Sequence, residues 1–147
     1  MKNLDEVNAE WAKDAIIKKD EPADELVNIP KLHAKYLKAW SDFRMKTQKA
    51  HYDYKDLRKK KWLYYTGKLN GTDELTALGW EPFPLTILRQ DLGDYLDADA
   101  DLSRAKIKVQ YNEDIASVIE KILKELNQRT WQVRSIIDWH KYTHGIG

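Results

Sequence analysis

The sequence contains no cysteine, which excludes disulfides and thiolate metal sites and is typical of a protein from a reducing compartment. It also lacks any apolar run near the roughly 20 residues needed to span a bilayer. The first residues, Met1–Glu6, include no apolar signal segment. These absences together predict a soluble, intracellular protein.

An excess of one charge sign is missing as well, because 25 Lys and Arg oppose 24 Asp and Glu. A globally basic nucleic-acid-binding protein is therefore not indicated, and any site for a polyanion must arise from local segregation of charge. Glycine (6) and proline (4) are few, while Lys, Glu, Leu and Ala are abundant, which favours helix. We expect an all-α fold, in which 105–111 forms either one short β segment, because its apolar residues alternate, or part of the following helix.

Motifs for catalysis and for metal binding are also absent: there is no phosphate loop, nucleophile elbow or dinucleotide fingerprint. Asp97–Asp101 resembles the first half of a calcium loop, but Leu102 stands where glycine is needed and Lys108 where glutamate is needed. His140 and His144 have metal-ligand spacing without a third ligand nearby. We expect neither an enzyme nor a bound cofactor or metal.

Hydrophobic periodicity predicts long helices. A first amphipathic helix is expected at 4–19, followed by a linker at 20–29. Pro30 suits the first position of a second helix that continues to Gly67, about 37 residues and about 55 Å long. A helix of that length needs a partner along its surface, and oligomerisation is the expected source.

The second half of the chain predicts a loop, a short helix and a long amphipathic helix. The loop covers 67–84, and its Trp80 and Phe83 side chains are expected to pack against the rest of the protein. Leucines at helical spacing then indicate a helix over 85–96. Asn112 is expected to cap a C-terminal helix that ends at Gly145. Its wide apolar stripe is typical of an assembly seam, and the residues predicted to mediate oligomerisation are Ile119, Ile122, Leu126, Val133, Ile136 and Ile137.

Two functional regions follow from this interpretation. Residues 1–111 form a helical region that carries the binding segment, and 112–147 form the oligomerisation helix. The expected architecture is a long, hairpin-like helical arm plus the C-terminal helix.

Charge is strongly segregated within the near-neutral total. Residues 44–68 contain nine basic residues against two acids, a local charge of +7, and residues 69–101 contain eight acids against Arg89 alone, a local charge of −7. The basic segment ends where aromatic residues begin. Its candidate contacts to nucleic acid are Lys55, Arg58, Lys59, Lys60, Lys61, Lys68, Trp62, Tyr64 and Tyr65.

This combination favours a single nucleic-acid strand. Cations neutralise phosphates, and aromatic rings stack on bases only when the bases are unpaired. Lys61 falls on the same stripe as Leu57, so packing of that stripe in a core would bury its charge. Whether Trp62, Tyr64 and Tyr65 stack on bases or pack the helix end against the following loop stays open. The alternative function is a non-catalytic helical adaptor, in which the basic segment pairs with acidic segments of neighbouring subunits.

Three segments resemble the UvsY family of recombination mediators from T4-like bacteriophages. The first is 59–67, Lys-Lys-Lys-Trp-Leu-Tyr-Tyr-Thr-Gly, which is similar to the family's basic-x-basic, two-residue, Tyr-Tyr-Ser-Gly pattern. The second is the Leu88–Leu96 segment with the acidic residues after it, and the third is Arg129–Asp138. Order and spacing agree over nearly the whole chain.

The resemblance implies an accessory protein without catalysis, acting in the cytoplasm of the infected host bacterium. Its partners would be single-stranded DNA, the single-strand-binding protein that it helps displace, and the RecA-like phage recombinase that it loads. The resemblance also implies ring-shaped homo-oligomers of six or seven subunits, assembled largely through the C-terminal region. The family's DNA-binding basic pair corresponds to Lys59 and Lys61, and this chain adds Arg58 and Lys60.

Overall fold

The computed structural model describes residues 1–145 and is 80% helical, with no strand in that part of the chain. The all-α prediction is therefore confirmed. The α-helices are α1 (Leu4–Asp14), α2 (Pro22–Tyr65), α3 (Thr72–Leu78), α4 (Leu92–Ala98) and α5 (Ala100–Thr143), with a 3-10 turn at Arg89–Asp91 before α4. Within 1–145 no helix combines the length and the apolarity needed to cross a membrane.

The chain forms two compact units, which we call unit 1 and unit 2. Unit 1 contains residues 1–45 and 112–145, and unit 2 contains Lys46–Tyr111. The helices α2 and α5, each 44 residues and about 66 Å long, contribute to both units. The two functional regions predicted from the sequence, 1–111 and 112–147, have different boundaries from these units. That division of function stays a prediction.

Unit 1 has a core built from α1, the first part of α2 and the second part of α5. Asn3 caps α1, since the Glu6 amide donates to its Oδ1 at 2.9 Å, and Val7 is fully buried in the core. Side chains at helical spacing complete the cluster. Its members are Val7, Leu32, Tyr36, Ala39, Phe43, Ile115, Ala116, Ile119, Ile122 and Leu126.

A buried polar network accompanies this core. Arg129, 3% exposed, donates to the carbonyl oxygens of Asp14 (2.6 Å) and Ile16 (3.0 Å) and to the Glu25 carboxylate (2.9 Å). The Arg129 guanidinium thus caps the end of α1, where carbonyls lack helical partners. Glu25 is itself 8% exposed, so each charge depends on the other for compensation.

The boundaries of the first two helices correct the sequence prediction. α1 ends at Asp14, earlier than Lys19, and the expected linker over 20–29 is wrong because α2 begins at Pro22. A proline does occupy the first position of this helix, as its conformational preference predicts, but that proline is Pro22 and not Pro30. Pro30 lies inside α2, where a proline removes one backbone hydrogen bond, and α2 continues through it.

The second half also differs locally. Residues 72–78 of the expected loop form α3, and the expected helix over 85–96 is helical only from Arg89 onward. Of the two structures left open for 105–111, a short strand and a continued helix, the structure contains the helix, because these residues belong to α5. Asn112 is no cap but an interior residue of α5, 7% exposed. The residue that starts α5 is Asp99, whose Oδ1 accepts a hydrogen bond from the Leu102 amide at 2.9 Å.

Replacing Arg129 by methionine tests the polar network of unit 1. The change leaves Glu25 buried without its partner, so Arg129→Met is expected to lower the free energy of unfolding by about 3–5 kcal/mol in urea denaturation. Arg134→Met is the matched control, since Arg134 is exposed on the same helix. Equal stabilities for the two variants would contradict this role of Arg129.

Candidate nucleic-acid interface

The end of α2 has two faces with different surroundings. Lys55, Lys59, Trp62 and Thr66 are separated by four, three and four residues, so they lie along one face of the helix. Leu57, Lys61 and Tyr64 follow the same spacing on the other side. The first face carries exposed cations, and the second packs inside unit 2. The basic run is therefore divided by helical periodicity, although its four members are consecutive.

The exposed cations are those that the sequence singled out, with one exception. Lys55, Arg58, Lys59 and Lys60 are solvent-exposed along the last turns of α2. Within residues 1–145 none of these four forms an ion pair. Their charges are thus available to an external anion such as a phosphate.

Lys61 is the exception. It is 5% exposed, and its Nζ lies 3.1 Å from Asp99 Oδ2 and 2.9 Å from Asp101 Oδ2. The ammonium also lies 4.1 Å from the centroid of the Trp80 ring. Lys61 was predicted to contact DNA, yet in this conformation its charge is enclosed and already compensated. Its position on the Leu57 stripe explains the burial.

Asp99 links the ion pair with Lys61 to a wider hydrogen-bond network. Its Oδ2 also accepts a hydrogen bond from the Tyr65 hydroxyl at 2.6 Å, and its Oδ1 caps α5. Burial acts to raise the pKa of Asp99, but the hydrogen bonds from Tyr65 and the Leu102 amide and the nearby Lys61 charge outweigh it. The pKa of Asp99 is therefore held below its ordinary value of 3.8, and the carboxylate stays charged.

Tyr64 and Tyr65 belong to an aromatic cluster inside unit 2. The Tyr65 ring centroid lies 5.0 Å from Phe83 and 5.8 Å from Tyr95, and the Tyr64 centroid lies 5.3 Å from Trp80. The Tyr64 hydroxyl donates to the Glu81 carbonyl. Both tyrosines pack the helix end against the segment after Gly67, which was one of the two roles left open by the sequence.

Trp62 has a different environment. It lies outside that cluster, half-buried, with Lys68 Nζ 4.5 Å from the centroid of its ring. Lys68 reaches it because the chain reverses at Gly67, which has φ of +76°, a conformation that favours glycine. The Lys68 and Leu69 amides both donate to the Leu63 carbonyl, closing the end of α2.

The residues predicted to mediate oligomerisation lie mostly inside unit 1. Ile119, Ile122, Leu126 and Val133 are between 0% and 4% exposed. Ile136 and Ile137 are half-buried. The wide stripe of α5 thus packs within its own chain, and the four buried side chains are not available to another subunit in this conformation.

Large aromatic side chains occupy the opposite side of the same part of α5. Trp131, Trp139 and Tyr142 are 67%, 63% and 78% exposed. The Trp139 and Tyr142 rings lie 5.8 Å apart between centroids, and the Arg134 guanidinium lies 5.4 Å from the Trp131 ring. Exposed apolar groups of this size, close together, are typical of an interaction surface.

Several residues important to the site were not predicted as such. Asp99 and Asp101 were considered only as part of a calcium-loop-like motif in the acidic segment, and Tyr95 was not singled out. Their role depends on contacts with Lys61 and Tyr65, which are 30 or more positions away in the chain. One signal could have found them: a lysine on an apolar stripe, if it is buried, needs an acid beside it, and the acidic segment contains several candidates.

Comparison with known protein families gives a match over almost the whole chain. The family model described as "Recombination, repair and ssDNA binding protein UvsY" matches residues 10–146 of the 147-residue chain. The match therefore includes α2, the acidic segment and α5. Searches of curated proteins and of solved structures found no match.

The depressed pKa of Asp99 predicts a pH dependence of stability. Because the folded pKa lies below the unfolded one, the stabilisation by Asp99 is complete above about pH 4 and is lost as pH falls through the folded pKa. In Asp99→Asn this contribution is absent, so the free energy of unfolding should be lower at pH 7 and should fall less steeply on acidification than in the wild type.

Urea denaturation at a series of pH values between 7 and about 2 measures both effects. Asp97→Asn is the matched control, because Asp97 is exposed on α4 and close in sequence. An Asp99→Asn variant whose unfolding free energy ran parallel to that of the wild type over the whole range would contradict the assignment.

Proposed function

We propose a function that starts from one established fact: this chain belongs to the UvsY family of recombination, repair and single-stranded-DNA-binding proteins. The proposal is that the exposed face of α2 near its end binds the phosphates of a single strand. The observation that carries it is the set of uncompensated cations at 55–60, on a chain of almost zero net charge. Local segregation of charge supplies the polyanion site that the total charge does not.

The individual residues have distinct parts in this proposal. Lys59 contacts phosphates, and Lys55 extends the same face toward the N-terminus of α2. Arg58 and Lys60 are exposed on either side of Lys59 and contact neighbouring phosphates. Lys61, the second member of the family's basic pair, acts differently: its ion pairs with Asp99 and Asp101 hold the end of α2 in place. The resemblance to the family supports a contact at Lys59, and the burial of Lys61 supports a positioning role.

The wider activity follows the family resemblance. The protein acts without catalysis as a mediator that helps displace the single-strand-binding protein and loads a RecA-like recombinase. It works in the cytoplasm of the infected bacterium. In a ring of six or seven subunits the basic face repeats, so contacts after the first become intramolecular and the avidity for a long strand rises.

For self-association we propose a surface other than the apolar stripe of α5, because most of that stripe is buried. Ile119, Ile122 and Leu126 belong to the core of unit 1, and Val133 on the same stripe is also buried. We place the subunit contacts instead on the exposed aromatic surface formed by Trp131, Trp139 and Tyr142. These rings bring apolar area together with polar groups, a combination enriched in protein interfaces.

The alternative function, a helical adaptor, gains less support. It requires the basic segment to pair with acidic segments of neighbouring subunits. The structure already contains such a pairing within one chain, between Lys61 and the two acids Asp99 and Asp101. The other cations of the run have no acidic partner in the described chain and are more consistent with an external polyanion.

Binding of fluorescent oligothymidylate at several salt concentrations tests the proposal. The double variant Lys59→Ala/Lys60→Ala should bind more weakly, and the slope of log affinity against log salt should decrease by about 0.7 for each phosphate that the variant no longer neutralises. The control Lys121→Ala/Lys124→Ala removes two lysines from unit 1, outside the basic segment, and should leave both quantities unchanged.

The adaptor and DNA-binding functions give different results in this experiment. A pure assembly protein would show no salt-dependent binding of oligothymidylate in any variant. An unchanged affinity and salt slope in the Lys59/Lys60 variant would contradict the proposed binding face.

A further inference from the structure

Unit 2 contains a cavity of about 550 Å³ beside the end of α2. The last turn of α2 and the Gly67 turn form one side, and the irregular segment before α4 forms the other. The lining residues are Trp62, Tyr65, Thr66, Gly67, Lys68, Leu85, Thr86, Ile87, Leu88, Arg89 and Leu92. Its volume lies within the range of about 300–1,000 Å³ that is usual for small-ligand sites.

The cavity is lined by both apolar and cationic groups. Trp62 offers a large aromatic surface, and Leu85 and Leu88 line the other side although they are 57% and 63% exposed. Leucines left exposed around an aromatic ring are typical of a surface that receives a ligand. A flat, partly apolar group would bury this area on entry.

Two exposed cations, Lys68 and Arg89, also line it. Arg89 is the single basic residue in the acidic segment 69–101, which otherwise carries eight acids. The one positive charge of this segment therefore lies in the same cavity as Trp62 and Lys68. A ligand that carries negative charge beside an aromatic ring would satisfy both kinds of lining group.

The position of Trp62 connects the cavity with the basic face. Lys59 and Trp62 are three residues apart on the exposed side of α2, and Lys55 lies one further turn back on that same side. A strand whose phosphates follow Lys55 and Lys59 would therefore bring its next nucleotide to Trp62.

We propose that this cavity receives one unpaired base of the bound strand. The base stacks on Trp62, and the phosphates on either side of it contact Lys68 and Arg89. Lys68 exchanges its present position over the Trp62 ring for a phosphate, which vacates the ring face for the base. This inference rests on the proposed function, because it assigns a base site to the same single-stranded DNA.

An abasic oligonucleotide separates the base site from the phosphate contacts. We compare oligothymidylate with an abasic strand of equal length and charge, using the full-length protein. The wild type should bind oligothymidylate at least about fivefold more tightly, since stacking on an aromatic side chain contributes that much per base. In Trp62→Leu this preference should fall toward one, while the salt slope stays unchanged.

Tyr52→Leu is the matched control, because Tyr52 is an exposed aromatic residue of α2 that does not line the cavity, and this variant should retain the preference. Equal binding of the two strands by the wild type would overturn the base site while leaving phosphate binding by the protein intact. A Trp62→Leu variant that keeps the preference for oligothymidylate would also overturn the base site. That result is expected if the cavity instead receives a peptide of a protein partner. Failure of the wild type to bind either strand would overturn the proposed function itself.

A second measurement needs no variant and so does not depend on the folding of Trp62→Leu. Irradiation of the wild-type complex with an oligonucleotide containing 5-iododeoxyuridine should yield a cross-link at Trp62, located by mass spectrometry. Cross-links confined to aromatic residues away from the cavity, such as Tyr52 or Trp131, would overturn the assignment.

Discussion

The buried ion pairs of Lys61 are the interaction on which unit 2 depends. They join the end of α2 to Asp99 and Asp101, at the start of α5, under the Trp80 ring. Removing an ammonium from water costs several kcal/mol, so it is tolerated only with close, well-placed acids. Asp99 meets this requirement while it also caps α5 and accepts the Tyr65 hydroxyl. The Asp99 carboxylate thus holds the end of α2 next to the start of α5.

This constraint also explains how a short basic run serves two purposes. Because an α-helix turns by about 100° per residue, adjacent lysines cannot all face the same way. Lys61 turns inward with Tyr64, whereas Lys59 turns outward with Trp62. The inward residues fix the helix end, and the outward ones form the surface that we propose for the strand. Gly67 then reverses the chain and brings Lys68 to Trp62.

Much of this could be predicted from sequence, for identifiable reasons. Composition and periodicity predicted an all-α chain, and the residues at 59–67 pointed to the family, because both signals are local. The cap predicted at Asn112 is wrong because α5 already begins after Asp99 and continues through Asn112, which is buried by contacts that no local pattern reports. The stripe of Ile119 and Leu126 was seen correctly as apolar, but periodicity does not tell whether its partner is another subunit or the same chain.

Lysine reactivity measured by mass spectrometry tests the central claim, the division of the basic run into an exposed face and a buried anchor. The protein is treated briefly with an amine-specific acetylating reagent, with and without oligothymidylate. The account predicts fast modification of Lys59 and Lys60 in the free protein, protection of both by the oligonucleotide, and slow modification of Lys61 in either state. Modification of Lys61 as fast as that of Lys60, or no protection of Lys59 and Lys60 by the strand, would contradict it.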